Sequence, residues 1–284
     1  MVPRQGETPA RGVRTLRSAG FRPSKSLGQN FLVDPNLLLK IAEAAELSGD
    51  EHVVEIGSGF GALTERLAGR VDALHSVEID HRLLEEQKRR LHSFENIQFV
   101  HQDFLEFDLE AAAPGKRMVV VGNIPYKATA PILGRLLDHA HLLDRAVLCL
   151  QKEVAARILA SPGSRKFGRL SLAVQYRAAA EKLFLVPAEA FRPRPRVESV
   201  LIRLRFHHPP PVRARDDELL FTLAEQLFHG RRKMIRTGLR AFRGLSPEDL
   251  RAVENRSGVD LSRRPEDLDV EEWCRLSDQL GTLT

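Results

Sequence analysis

Between His52 and Leu150 the chain alternates short apolar runs with helical stretches, and this alternation restricts the fold more than any other feature of its 284 residues. "HVVEI" (52–56) leads through a glycine turn into "ALTERLAG", and "ALHSVEI" (73–79) leads into "HRLLEEQKRRL". "IQFVHQ" (97–102), "RMVVVG" (117–122) and "RAVLCL" (145–150) continue the pattern, with helices expected from about Thr129 to His139 and over "QKEVAARILA". Strands separated by helices are joined by crossovers, so the spacing predicts a doubly wound, mostly parallel sheet covered on both faces, an α/β fold. After "KLFLVP", the run "ESVLIRLRF" (198–206) reads as the closing, antiparallel edge of that sheet. Upstream, apolar residues at helical spacing from Leu37 to Leu47 predict a helix capped by Asp34 or Asn36 and stopped at Gly49.

Three consecutive prolines in "HHPPPVRARDD" (207–217) stop both helix and strand. The sequence therefore divides into a basic tail (1–23), the α/β domain (24–207), a linker (208–216) and a small helical domain (217–284). In the last, "DELLFTLAEQLFHGRRKMIRTGLRAF", "SPEDLRAVENRSG" with a Ser246-Pro247 start, and "DVEEWCRLSDQL" read as helices. Residues 1–25 set Arg4, Arg11, Arg14, Arg17, Arg22 and Lys25 against Glu7 alone, which accounts for a charge equal to the whole chain's +5. Such a tail is either a solvated, disordered arm or one that neutralises phosphates. An organelle transit segment is disfavoured, because Pro3, Pro9 and the glycines interrupt any amphipathic helix. Cys149 and Cys274 stand far apart without metal-ligand spacing, which points to a reducing compartment, to a cytoplasmic protein and away from zinc. No apolar run approaches the roughly 18 residues of a membrane span.

Polar and glycine residues gather at the predicted carboxyl ends of the strands, where open α/β sheets bind ligands. In "VEIGSGFGALT" (54–64), Gly57, Gly59 and Gly61 let the backbone approach a ligand just ahead of a helix N-terminus. Glu78 ends the second strand, placed to take both hydroxyls of a ribose. Asp103 follows the third strand and Asn123 ends the fourth. A nicotinamide dinucleotide calls for G-x-G-x-x-G, whereas the spacing here is G-x-G-x-G with a second acidic residue suited to an adenine amino group. This favours S-adenosylmethionine. The corner "GNIPY" (122–126) then faces the acceptor. An adenine amine is a poor nucleophile because its lone pair is delocalised into the ring. The Asn123 side-chain oxygen and the Ile124 carbonyl can accept its two hydrogens and aim the lone pair at the methyl, while Pro125 fixes the turn and Tyr126 offers a stacking face.

"SLGQNFLVDP", "VEIGSGFGALT", "VEID", "QDF", "GNIPY", "LQKEVAARI", "FGRLSLAVQY" and "FRPRPRVESVLIRL", in order from about Lys25 to Phe206, together resemble the small-subunit ribosomal RNA adenine dimethyltransferases of the KsgA type. "LFHGRRKMIRTGL" (227–239) looks like that family's C-terminal domain. The resemblance implies a Rossmann-like methyltransferase domain, a small helical domain and dimethylation of two adjacent adenosines near the 3′ end of small-subunit rRNA, late in subunit assembly. By position, it implies cofactor binding by Asn30, Leu32, Gly57, Glu78, Asp103 and Asn123, with Gln29, Ile79 and Phe104 close by. It also implies that Asn123 and Tyr126 hold the target adenine with Phe191 on its other face.

Phe191 reads on periodicity alone as either a core residue or this base clamp. Arg192, Arg194, Arg196, Arg203 and Arg205 form either a charge-protected edge strand or an RNA-backbone contact. His229-Gly230-Arg231-Arg232-Lys233 reads as either a solvated helix face or, with Arg236 and Arg240 continuing it at helical spacing, a phosphate-tracking one, and that continuation favours the second. Ile124 also occurs in the erythromycin-resistance (Erm) methyltransferases of large-subunit rRNA, which are the nearest alternative. A non-catalytic assembly factor on the same fold is disfavoured by the complete Asn-x-Pro-Tyr motif. An NAD-dependent oxidoreductase leaves that motif idle. The expected partner is small-subunit rRNA within the pre-30S particle, with no metal and no membrane, and the expected state is a monomer.

Overall fold

The computed structural model describes residues 21, 23, 24, 27–230 and 233–283. Nearly all of the basic tail, together with Arg231 and Arg232, lies outside them. The strands are β1 (Phe31–Leu32), β2 (His52–Ile56), β3 (Ala73–Glu78), β4 (Ile97–His101), β5 (Met118–Asn123), β6 (Leu143–Gln151), β7 (Ala178–Val186), β8 (Phe191–Arg192) and β9 (Ser199–Phe206). Seven of them form one sheet in the order β4-β3-β2-β5-β6-β9-β7. The pairs β3–β4, β2–β3, β2–β5 and β5–β6 are parallel and β6–β9 is antiparallel. From β2 the chain builds outward through β3 and β4, then returns to lay β5 on the other flank of β2. This reversal opens a crevice at the carboxyl ends of β2 and β5, where Gly57 and Asn123 stand.

The core strands are continuous Val- and Leu-rich runs because both faces are covered. Val119, Val120, Val121, Val147, Leu148 and Leu150 are completely buried. Each large aliphatic side chain so buried contributes about 1.5–3 kcal/mol. β9 is not the edge expected from the sequence. All its residues but Arg205 are buried, so this apolar run is inserted between β6 and β7. The edge falls to β7, whose Glu181 and Lys182 are exposed.

The first helix runs Pro35–Ala44, and Asp34 caps it by accepting from the N–H groups of Asn36 and Leu37. It ends well before Gly49. Glu46 takes a left-handed conformation (φ 52°), and two buried arginines from the sheet bind the helix's last carbonyls. Arg145 Nε donates to Ala45 O at 2.7 Å and its Nη2 to Glu46 O at 2.9 Å, while Arg203 Nη1 donates to Ala44 O at 3.2 Å. Those carbonyls have no partner within the helix itself.

The chain divides into two compact units. One holds the residues up to Lys152 together with Glu181–Phe206; the other holds Glu153–Ala180 and the residues from His207 onward. The Pro-rich linker thus marks only the last of three crossings between them. Residues 153–180, expected in the α/β domain, join the C-terminal unit because the helix Arg169–Arg177 contributes Leu172 and Tyr176 to a core with Leu220, Leu223 and Trp273. The Tyr176 hydroxyl donates to Asp217 Oδ1 at 2.5 Å and accepts from Ala214 N at 3.1 Å. Further helices in this unit span Asp217–His229, Ile235–Arg243, Pro247–Ser257 and Val270–Gly281. The helix expected to start at Ser246-Pro247 does so, and Ser246 forms a capping box with Asp249. The stretch expected as one helix through residue 242 is instead two. The first ends at Gly230 and the second starts after Met234, so Lys233 and Arg236 do not continue a single helical face.

Candidate cofactor and target-base site

A cleft enclosing about 1150 Å³, including its mouth open to solvent, lies along the carboxyl ends of β2, β3 and β5. Its first wall is the glycine turn. Gly57 has φ +66°, and a Cβ there would meet nothing nearer than 4.0 Å, so the space above it is free for a ligand. Gly61 also has positive φ, but its role differs from the one expected. It does not line the cleft, and a Cβ there would come within 3.0 Å of Gln87 and Leu91, so it lets the turn pack on the helix His81–Arg90.

Gln87 holds the turn. It is completely buried, and its Nε2 donates to Ser58 Oγ and to Gly59 O, each at 2.8 Å. Ser76 Oγ donates to Gln87 Oε1 at 2.8 Å. Sequence reasoning missed this network, although Gln87 falls on the same helical stripe as Leu83, Leu84 and Leu91.

Glu78 is buried at the end of β3. Its Oε2 accepts from Gly59 N at 2.8 Å and its Oε1 from Asp80 N at 2.9 Å. Each oxygen keeps a lone pair for a further donor, which suits a vicinal diol. Burial raises the carboxyl's pKa above the ordinary value, and the two N–H donors oppose that. Ile79, an exposed apolar side chain, lines the cleft beside it. Asp103 and Phe104 do not line it. The Asp103 carboxylate caps the short 3-10 turn Phe104–Glu106 by accepting from Leu105 N at 2.9 Å.

The segment "GQNFL" (28–32) forms the second wall. β1 pairs antiparallel with β8, setting Leu32 opposite Phe191. Gln29 Nε2 donates to Asp80 Oδ2 at 3.1 Å. Asn123 Nδ2 donates to Asn30 O at 2.9 Å, which commits the nitrogen end of that amide and leaves its Oδ1 without a protein partner among the described residues. Gln29, Asn30, Leu32, Asn123, Pro125 and Tyr126 all line the cleft. Phe191 does so too while only 1% exposed, so it is at once a core residue and a wall of the site. Glu55, which the sequence reading passed over, also lines the cleft. It is wholly buried and its pKa is raised to about 8, chiefly by desolvation.

The ribosomal RNA adenine dimethylase family profile matches residues 20–281. The chain belongs to this family. It is therefore an S-adenosylmethionine-dependent methyltransferase that acts on ribosomal RNA adenine. It is 40% identical over 283 residues to the ribosomal RNA small subunit methyltransferase A of Listeria monocytogenes serotype 4b, covering 96% of each. Against the protein of that name from Geobacillus thermodenitrificans it is 41% identical over 97% of each chain. Two solved structures share the fold. The dimethyladenosine transferase of Plasmodium falciparum has a TM-score of 0.72 at 25% identity, covering 86% of this chain and 94% of that one. The 23S rRNA methyltransferase ErmE has 0.70 at 30%, covering 88% and 99%.

The walls fit the cofactor: open space over Gly57, free lone pairs on Glu78 toward a ribose and an apolar flank at Ile79. The arginines divide by environment. Arg203 is buried and ion-paired with Glu46 and Glu181, which withdraws it from RNA, whereas Arg205 is exposed and paired with the same two carboxylates. Arg192, Arg194, Arg196 and Lys233 are exposed. Of these, Arg192 donates to the Glu189 and Phe191 carbonyls and Arg194 pairs with Glu189.

Proposed function

We propose that this enzyme dimethylates the exocyclic amines of two adjacent adenosines near the 3′ end of small-subunit rRNA, acting as a cytoplasmic monomer on a late pre-30S particle. The observation that carries the reading is the orientation of the Asn123 amide. With Nδ2 held by Asn30 O, the oxygen is the end available to an incoming amine. Small-subunit over large-subunit RNA is supported by 40–41% identity to small-subunit enzymes against 30% to ErmE.

Glu78, Gly57, Asn30 and Leu32 hold the cofactor, with Gln29 tying the N-terminal segment to Asp80. When bound, S-adenosylmethionine supplies a methyl group on a positively charged sulfur. The adenine lies between the Tyr126 and Phe191 rings. Asn123 Oδ1 and the Ile124 carbonyl each accept one amine hydrogen, drawing the nitrogen lone pair out of conjugation and along the line of transfer. The same two acceptors would stabilise the positive charge that the amine nitrogen gains on taking the methyl group a bound cofactor would supply. The nitrogen then gives a proton to water. Alignment and electrostatics supply the rate, and no strong base is needed. Exposed Arg192, Arg194, Arg196 and Lys233 contribute to holding the RNA backbone, with Arg231 and Arg232 adjoining Lys233 in sequence.

The test is transfer of labelled methyl to three acceptors: small subunits lacking adenine dimethylation, large-subunit RNA and bulk tRNA. Label in dimethyladenosine at the 3′ end of small-subunit RNA is expected. Label confined to large-subunit RNA refutes the substrate assignment.

A further inference from the structure

Tyr126 sits in a short 3-10 turn, Tyr126–Ala128, and such a turn does not by itself fix an aromatic ring at one angle. The ring's hydroxyl is anchored elsewhere. Tyr126 Oη and Ser199 Oγ lie 3.0 Å apart in a hydrogen bond. Ser199 is 1% exposed and opens β9, where it pairs with Gln151 of β6. The thiol of the neighbouring Cys149 is buried, and burial pushes its pKa up to about 12 while Ser199 opposes the rise. Cys149 lies opposite Asn123 in the β5–β6 ladder, and its carbonyl accepts from Ile124 N at 3.2 Å. The "GNIPY" corner is therefore held at both ends by the same place in the sheet: at Ile124 through the Cys149 backbone and at Tyr126 through Ser199.

β8 and β9 are joined by only six residues, so one short stretch of chain carries Phe191, which lines the cleft directly, and Ser199, which reaches Tyr126. A buried hydroxyl is costly to leave unsatisfied, so the bond from Ser199 to Tyr126 restricts the ring's rotation.

We infer that Ser199 is a positioning residue for methyl transfer, holding the Tyr126 ring at the angle at which the target adenine stacks opposite Phe191. The inference rests on the stacking role proposed above for Tyr126. Ser199 touches neither cofactor nor base and acts only through the phenol.

Single-turnover methyl transfer to small subunits lacking adenine dimethylation, measured with cofactor affinity on the full chain, tests it. Ser199→Ala and Tyr126→Phe each remove one partner of the same hydrogen bond. Each is expected to lower the transfer rate about 3- to 10-fold, the effect of one net hydrogen bond, with cofactor affinity unchanged within twofold. The double variant is expected to be no slower than either single one, because the second change removes nothing further. Losses that multiply in the double variant overturn the inference, as does a weakened cofactor affinity in Ser199→Ala. Should Ser199→Ala lower thermal stability, Tyr126→Phe, which keeps Ser199 in place, still reports the bond. Tyr126→Ala separates the two levels. If it is severely impaired while Ser199→Ala turns over normally, stacking stands and the inference falls. Normal turnover by Tyr126→Ala removes the stacking role itself, and the inference with it.

Discussion

Replacing Glu55 by Gln should change how the first unit's stability depends on pH. The Glu55 carboxyl is 2% exposed within β2, and desolvation raises its pKa from 4.5 to about 8, with the nearby Glu78 adding to the rise and Arg90 opposing it. Between those two values the folded protein holds a proton that the unfolded chain has released. Stability carried by this carboxyl is therefore fully present below about pH 4.5 and falls as pH rises through about 8. A span of about 3.5 units at about 1.4 kcal/mol each is about 5 kcal/mol, comparable with the whole stability of many domains.

Glutamine keeps the shape and cannot ionise, so that slope should vanish in the variant. Whatever offset the amide introduces at pH 4.5, the difference between Glu55→Gln and the wild type should shift by about 5 kcal/mol in the variant's favour by pH 8. The probe must report the correct unit. Trp273, the chain's one tryptophan, lies in the C-terminal core, so its fluorescence follows the wrong one. Pulsed hydrogen exchange of peptides covering β2 and β5 along a urea series follows the sheet. Parallel stability curves for the two proteins from pH 4.5 to 8 would refute the claim that Glu55 is held protonated by burial.

Four further outcomes are expected. Asn123→Ala should slow transfer by about 10²–10³ while preserving most cofactor affinity; single-turnover kinetics beside calorimetric binding checks this, and near-normal turnover excludes the alignment mechanism. Glu78→Ala removes the acceptor shared by Gly59 N and Asp80 N, and should weaken cofactor binding roughly 10- to 100-fold in equilibrium dialysis. Arg145→Ala strips the partner from the Ala45 and Glu46 carbonyls and from Glu51, and should destabilise the first unit by about 3 kcal/mol in urea titration. Neutralising Arg194, Arg196 and Lys233 together should reduce the salt slope of particle binding by up to about three without altering cofactor affinity, and an unchanged slope would assign them to a merely solvated surface.

What the sequence disclosed about the site is what depends on local order. A glycine turn after an apolar run, an acid at the next strand end and an amide before Pro and Tyr need only the strand–helix alternation to be placed on one rim. What it hid depends on which strands become neighbours. Ser199 and Tyr126 are 73 positions apart, and their contact exists only because β9 is inserted beside β6 rather than left at the edge. Arg203 resembled an RNA contact until the fold buried it and brought the Ala44 carbonyl to it from 159 positions away, with Glu46 beside it. Gly61 resembled a cofactor contact until the helix carrying Gln87 packed over it. Yet a signal was present at each hidden position. Glu55 in "HVVEI", Ser199 and Arg203 in "SVLIRLRF" and Gln87 on a leucine stripe are polar groups where the pattern demands burial, and a buried polar group must find a partner or give up its charge. Ser199, Arg203 and Gln87 took the first course. Glu55, whose Oε2 has no hydrogen-bond partner among the described residues, took the second, and it did so in the wall of the cofactor cleft.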